Sequence, residues 1–301
     1  MRRRGLRGLA ALVIAATVPA GPGTAAGTAD IRLDSKDGVR TAIVRPAPQR
    51  PAPTVIVLHG ALADGERTAR RSGFAEAAAG RGFAAVFPDG INRQWNDGRE
   101  SGPVSSVDDV GFLRRLIAHL ARTGIADPAH IYLAGISNGG MMTFRMLCEA
   151  ADLIAGAGAV IANMPAAIGD GCRPARPVAL AMLNGTADPL VPYAGGGVGF
   201  AGRRGEVWSA ERSAAFVARR NGCTDPPHEA VLAARPDEAT KIVRIDWSPC
   251  STGRTVTLYR IEGGGHQLYG RTSVLPAVLG PGTQQVSAPD LILEMFAAAA
   301  R

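Results

Sequence analysis

The chain has 301 residues, 46% of them hydrophobic and 20% charged, which is enough to bury the core of one large α/β domain. Its formal charge is +7, but four arginines within the first seven residues supply much of that excess. The chain has only two lysines and no basic run interleaved with aromatic residues, so the composition argues against nucleic acid as a partner.

Residues 1–29 have the organisation of an export signal, and residues 30–301 then form a single mature domain. Arginines come first, an apolar run follows at 8–18, and small residues come last. The apolar run is too short to span a bilayer, so no stable membrane anchor is expected. The sequence therefore predicts a secreted protein, and the early arginine pair is compatible with the twin-arginine route. Three cleavage points are compatible with the small residues: after Ala20, Ala26 or Ala29.

Four cysteines fit an exported protein, because disulfides persist in oxidising compartments. They are Cys148, Cys172, Cys223 and Cys250. Three pairings are possible, and we favour the one that joins each cysteine to its neighbour in sequence, with the other two left open. The spacings contain no C-x-x-C or H-x-x-x-H pair, no P-loop and no EF-hand loop, so no metal and no cofactor are expected.

Apolar runs alternate with helix-like segments along the chain. After an edge pair within 30–50, strands are predicted at 54–58, 83–87, 130–134, 153–161, 178–183 and 255–261. Helices are predicted at 67–79, 107–120, 140–150, 207–220 and 289–300. Polar or glycine-rich loops are predicted at 91–105 and 194–205. This alternation predicts an α/β fold of the α/β-hydrolase kind, with a mostly parallel central sheet and helices on both faces.

The pentapeptide Gly135-Ile136-Ser137-Asn138-Gly139 matches the pattern G-x-S-x-G. It follows a predicted strand and precedes a predicted helix, which is the context of a nucleophile elbow. Glycines are required on both sides because a Cβ there would collide with the neighbouring strand or helix. The context therefore makes Ser137 the candidate nucleophile.

A serine hydroxyl needs a base to accept its proton and a carboxylate to orient that base. Of the five histidines, His266 is the best candidate base, because it follows a predicted strand and three glycines. Asp188 follows the strand at 178–183 and is the candidate acid. The chain order Ser137, Asp188, His266 is that of the α/β-hydrolases.

Two backbone N–H groups are expected to stabilise the oxyanion of the tetrahedral intermediate. One belongs to Asn138, the residue after the nucleophile. The other lies in the loop after the 54–58 strand, where we favour Ala61 and keep Leu62 as the alternative. His59 in that loop is expected to brace it without transferring protons.

Together these motifs resemble the secreted polyhydroxybutyrate depolymerase and feruloyl esterase group, which are α/β-hydrolases of the carbohydrate esterase family 1 type. The resemblance implies a triad of Ser137, Asp188 and His266, and it suggests a disulfide between Cys223 and Cys250. One departure is Gln267-Leu268-Tyr269-Gly270, where such proteins often have a Trp-Pro-Gly turn. The matching segments are 58–60, 95–99, 107–112, 135–141, 185–193 and 263–266.

The sequence therefore predicts a secreted serine esterase that acts on small-molecule or polymer esters through an acyl-enzyme. Hydroxyalkanoate oligomers or polymer and feruloyl-type esters both fit as substrates. An acyltransferase, a serine peptidase and a non-catalytic binding protein on the same fold are the alternatives. Trp95 is a candidate substrate contact, either stacking on an aromatic acyl group or a sugar, or else packing to close its loop.

Overall fold

The computed structural model describes residues 29–99, 104–236 and 238–299. The predicted export signal, apart from Ala29, lies outside these ranges and stays a prediction. None of the helices in the described ranges is both long enough and apolar enough to cross a membrane.

Ten strands form one sheet, in the order β1-β2-β4-β3-β5-β6-β7-β12-β11-β10, and two short strands, β8 and β9, pair with each other. The six central strands from β4 to β12 run parallel, and antiparallel strands extend the sheet at both edges. In chain order, β1 to β12 are Ala29–Ser35, Gly38–Arg45, Ala52–Leu58, Ala84–Pro88, Ala126–Ile136, Gly156–Val160, Ala179–Gly185, Gly196–Gly197, Glu206–Val207, His228–Ala234, Lys241–Trp247 and Val256–Glu262.

Eight α-helices and two short 3₁₀ helices, Ile91–Arg93 and Ala151–Leu153, connect the described strands. In chain order, α1 to α8 are Gly65–Arg71, Phe74–Ala79, Asp109–Arg122, Asn138–Glu149, Ala166–Gly169, Ala210–Arg220, Pro276–Leu279 and Ala288–Ala299.

Helices cover both faces of the sheet, and strand β3 shows why. Its side chains alternate between faces, and the last four are apolar. Ile56 and Leu58 belong to one core cluster, with α3, α4 and α6. Val55 and Val57 belong to the other cluster, with α1, α2 and α8. An apolar run that is buried on both faces is the pattern of a parallel sheet covered by helices. The predicted fold class is therefore confirmed.

Several elements differ from the prediction, among them the short elements β8, β9, α5 and α7, which were not predicted. Strands β10 and β11 were not predicted, because β10 is almost wholly exposed and lacks the buried apolar run of a central strand. The helix predicted at 67–79 is divided into α1 and α2, because Gly73 between them has a left-handed backbone with φ of 83°.

The structure contains both disulfides that the sequence favoured, Cys148–Cys172 and Cys223–Cys250. The first joins the last turn of α4 to the segment after α5. The second joins the segment after α6 to the connection between β11 and β12. Each therefore ties the end of a helix, or the segment just after it, to a later part of the chain.

Removing the second disulfide with Cys223→Ser and Cys250→Ser is expected to lower the free energy of unfolding by about 3 kcal/mol. The reason is that the disulfide closes a loop between residues 27 positions apart, and this loop is no longer constrained in the unfolded chain. Urea unfolding followed by circular dichroism measures the change in free energy. The matched pair Cys148→Ser and Cys172→Ser, which frees a loop of similar separation (24 against 27 residues), should lose a similar amount. An unchanged unfolding midpoint would contradict the expectation.

Candidate active site

Three side chains meet where strands β5, β7 and β12 end. These strands run parallel in the middle of the sheet, so their carboxyl ends lie at the same edge. The Nε2 atom of His266 lies 3.0 Å from the hydroxyl oxygen of Ser137. Its Nδ1 atom lies 2.7 Å from Oδ2 of Asp188. The structure thus brings together the three residues that the sequence predicted.

Ser137 occupies a sharp turn between β5 and α4. Its backbone has φ of 53° and ψ of −118°, a conformation that costs a non-glycine residue of order 1–3 kcal/mol. Its N–H donates to Val160 O at 2.9 Å on the neighbouring strand, which holds the turn in place. The hydroxyl is thereby presented above the sheet edge, next to the first turn of α4.

The glycines of the elbow are required by close backbone contacts. A Cβ on Gly135 would lie 2.1 Å from Gly139 O, and a Cβ on Gly139 would lie 2.4 Å from Leu58 O. The first turn of α4 therefore packs directly against the end of β3, which is the reason inferred from the sequence for small residues there.

Asp188 is oriented by its own loop. Its Oδ1 accepts hydrogen bonds from the backbone N–H groups of Leu190 and Val191, both at 2.8 Å, so Oδ2 faces the histidine. The aspartate side chain is 1% exposed and that of His266 is 10% exposed. Because the carboxylate is an acceptor, Nδ1 of His266 carries its proton, and Nε2 is left to accept from the Ser137 hydroxyl.

The loop that carries His266 is held from two sides. The backbone N–H of His266 donates to Leu279 O at 2.6 Å. The hydroxyl of Tyr269, which is fully buried, donates to Gly265 O at 2.7 Å. Burial raises the pKa of Tyr269 well above its usual range, so the phenol remains protonated and keeps this bond.

Two backbone N–H groups are candidates for stabilising an oxyanion. Asn138 begins α4, where N–H groups lack an intrahelical acceptor. Among the described residues, no carbonyl accepts the N–H of Ala61, whereas the N–H of Leu62 donates to Arg93 O at 2.9 Å. Ala61 is therefore the better candidate of the two residues considered. Its neighbour Gly60 lies against the elbow, since a Cβ there would be 3.6 Å from that of Ser137.

His59 braces the same loop, as the sequence predicted. Its Nδ1 donates to Gly60 O at 2.8 Å, and its Nε2 accepts from the N–H of Gly90 at 2.9 Å. Burial lowers the pKa of His59, which favours the neutral ring that this donor and acceptor pair requires.

The role of Trp95 as a substrate contact is corrected. Its side chain is 1% exposed, its indole N–H donates to His59 O at 3.0 Å, and its ring packs 5.0 Å from the ring of His59. A ring enclosed in this way cannot stack on a ligand, so the packing alternative describes it.

A buried polar network under Asn138 was not predicted from the sequence. The Asn138 amide donates to Trp95 O and to Asp97 Oδ2, and it accepts from the N–H of Trp95. Asp97 is in turn ion-paired with Arg99 at 2.8 Å. The network ties the first residue of α4 to the 95–99 loop, so it positions the N–H proposed for the oxyanion. The clustered polar residues of that loop were the only signal in the sequence.

In the described ranges, no group of three or more His, Cys, Asp or Glu side chains is placed to hold a metal ion.

No model of a known protein family matches the chain. A protein of Nocardia uniformis subsp. tsuyamanensis described as an esterase, NocK, is 29% identical over 262 residues, which cover 83% of this chain and 76% of that protein. Feruloyl esterase B of Piromyces equi is 32% identical over 219 residues, which cover 71% of this chain but only 39% of that protein. An acetyl xylan esterase from Aspergillus awamori has the same fold, with a TM-score of 0.55 and 11% identity over 79% of this chain and 94% of that one.

The sheet order and the layered helices define a protein of the α/β-hydrolase class. Within that class, the chain is similar to proteins described as an esterase and a feruloyl esterase, which agrees with the resemblance noted in the sequence.

Replacing Gly139 with alanine is expected to lower the free energy of unfolding by about 1–3 kcal/mol, because the new Cβ overlaps the Leu58 and His59 carbonyls. Labelling of Ser137 by a fluorophosphonate should also slow by at least about tenfold. Displacement of the elbow is expected to raise the activation barrier for labelling, and a barrier higher by about 1.4 kcal/mol lowers the rate tenfold. Urea unfolding and labelling rates measure the two effects.

Gly171→Ala is the matched control, because the nearest atom to its new Cβ, Ile168 O, lies 3.8 Å away. Equal stability and equal labelling for the two variants would show that the elbow has room for a side chain.

Proposed function

We propose that this chain is an exported carboxylic-ester hydrolase in which Ser137 is the nucleophile, His266 the general base and acid, and Asp188 the residue that orients the histidine. The observation that carries the proposal is the unbroken hydrogen-bond chain from Asp188 through His266 to the Ser137 hydroxyl. The relatives described as esterases support the same chemistry.

In the first half of the reaction, His266 Nε2 takes the Ser137 proton while the serine oxygen bonds to the ester carbonyl carbon. The carbonyl oxygen becomes an oxyanion, which the N–H groups of Ala61 and Asn138 would stabilise. The intermediate collapses as His266 gives its proton to the leaving alcohol, and the acyl group stays on Ser137. Asp188 stabilises the imidazolium throughout and holds its tautomer.

In the second half, His266 Nε2 takes a proton from water, and the water oxygen bonds to the acyl carbon. The second tetrahedral intermediate uses the same two N–H groups. Its collapse returns the proton from His266 to the Ser137 oxygen and releases the carboxylic acid. Apart from the ester and one water molecule, no group outside the chain is needed to balance the two halves.

Export is part of the proposal. It is supported by the organisation of residues 1–29 and by two disulfides, which persist in oxidising compartments. The N-terminus of the protein recovered from a culture medium, read by mass spectrometry, is expected at residue 21, 27 or 30. Recovery with Met1 intact would contradict the signal.

The substrate class follows from the relatives and the resemblance. Feruloyl-type esters and hydroxyalkanoate oligomers or polymer remain the two candidates. An acyltransferase, a serine peptidase and a non-catalytic binding protein remain alternatives, and product analysis with an added alcohol, assays on amide substrates and the serine variant below distinguish them.

The test is a hydrolysis screen of p-nitrophenyl acyl esters, methyl ferulate and hydroxybutyrate oligomers. The wild-type protein should hydrolyse at least one class, and Ser137→Ala should reduce kcat by a factor on the order of 10⁴ or more, because triad members act as a unit. A fluorophosphonate should label Ser137. Wild-type turnover by Ser137→Ala, or labelling at another serine, would overturn the mechanism.

A further inference from the structure

A cavity of about 680 Å³ lies against Ile136 and Gln267, the chain neighbours of Ser137 and His266. One wall is the segment Gly60–Ala63, which contains a proposed oxyanion donor. A second wall is α1, and the third is the segment after the proposed base, Gln267–Val274. Ile136, the residue before the serine, also lines the cavity. A ligand in this space is therefore next to the ester bond that the site would cleave.

The charges that line this cavity are all positive. Its four ionisable lining residues are Arg67, Arg70, Arg71 and Arg271, and no aspartate or glutamate is among the lining residues. Arg70 is paired with Glu66 at 2.6 Å. Among the described residues, no carboxylate lies within 4 Å of the guanidinium groups of the other three. Surface arginines in a protein with abundant acids are commonly paired, so three unpaired ones around one cavity leave a positive potential there.

One of these arginines links two walls of the cavity. Arg271 donates from Nε to Arg71 O at 3.1 Å, and its side chain passes over Gly73. That bond uses a backbone carbonyl, so it leaves the charge of Arg271 unneutralised. Arg71 and Arg271 are 200 positions apart in the chain, and this bond holds them together at the same cavity.

The nearest acids are used elsewhere. Arg67, Arg70 and Arg71 also border a neighbouring cavity that contains Asp64, Glu66 and Asp89. There Asp64 caps the N-terminus of α1, and Asp89 accepts from the N–H of Gly65 and from the Thr41 hydroxyl. These carboxylates thus have partners of their own and line the neighbouring cavity, not the one described here.

The rest of the lining is mixed: it contains apolar side chains and the polar side chains of Thr68, Ser72, Gln267, Thr272 and Ser273. Among the apolar side chains, Leu62 is 65% exposed and Val274 is 55% exposed, and Leu268 also lines the cavity. Exposed apolar side chains next to guanidinium groups suit a ligand with a carbon chain and an anionic end. Guanidinium groups bind carboxylates through paired hydrogen bonds, so a carboxylate suits the arginines of this cavity better than a neutral polar group does.

We propose that this cavity is a subsite for a carboxylate carried by the ester substrate, with Arg71 and Arg271 as its binding residues and Arg67 as an additional positive charge. The inference deepens the proposed function and rests on it. The carboxylate can lie on the acyl part, as in a half-ester of a dicarboxylic acid, or on the alcohol part, as in an ester of a hydroxy acid.

The experiment compares anionic esters with neutral partners of the same length. For the acyl part the pair is p-nitrophenyl hemiglutarate and p-nitrophenyl valerate. For the alcohol part it is the 3-hydroxybutyrate dimer and its terminal carboxamide. In at least one pair, the wild-type kcat/KM should be higher for the anion, and the preference should fall as salt is raised.

Arg71→Gln and Arg271→Gln should each reduce the anionic-to-neutral ratio of kcat/KM by about 2- to 5-fold, as expected for a partly exposed ion pair, through KM more than kcat. The double variant should reduce it by about tenfold. Arg219→Gln is the matched control, because Arg219 is also an exposed arginine in the last turn of a helix, α6, and lines no part of the cavity.

The outcomes separate the two proposals. Hydrolysis of the neutral esters that depends on Ser137, with no preference for either anion or with a ratio unchanged in the double variant, would overturn the subsite and leave the esterase intact. If no ester is hydrolysed, the proposed function fails. In that case, calorimetry of the 3-hydroxybutyrate dimer on Ser137→Ala, with and without the two arginine changes, still decides the subsite, and absent or equal binding would overturn it.

Discussion

The contact between the first turn of α4 and the end of β3 is the constraint on which the site depends. Gly139 lies so close to the carbonyls of Leu58 and His59 that no side chain fits between them. The same contact places the Gly60–Ala63 segment beside Ser137. A nucleophile and the N–H groups that would receive its oxyanion are therefore positioned by one backbone packing event, before any side chain contributes.

Around that contact, separate buried interactions keep each component in place. His59 holds the segment after β3 through Gly60 and Gly90. Asn138 is held by the 95–99 loop, and Asp188 by the N–H groups that follow it. Each uses buried groups that find partners, because an unpartnered polar group would destabilise the fold. Few mobile side chains remain at the reacting centre, which is what a preorganised site requires.

Much of this could be predicted from the sequence. The elbow, the acid and the base follow strands whose apolar runs are plain, and their order along the chain is diagnostic. The cysteine pairing also followed from proximity in sequence. Other features depend on contacts that no local pattern encodes. The N–H of Leu62 is unavailable to an oxyanion because it donates to the carbonyl oxygen of Arg93, which is distant in sequence. Trp95 is buried by residues from two other segments. Strand β10 gains its place only by pairing with β11 at the sheet edge.

Ser137, Asp188 and His266 follow three different strands, and the first and last of these residues are 129 positions apart in the chain. A fragment or a partly assembled sheet that lacks the end of any of these strands cannot align them. Under the proposed mechanism, the ability to cleave an ester would arise only when the last central strand docks. Catalysis would then report the completion of folding, and an unfinished molecule would be inert toward the esters it meets.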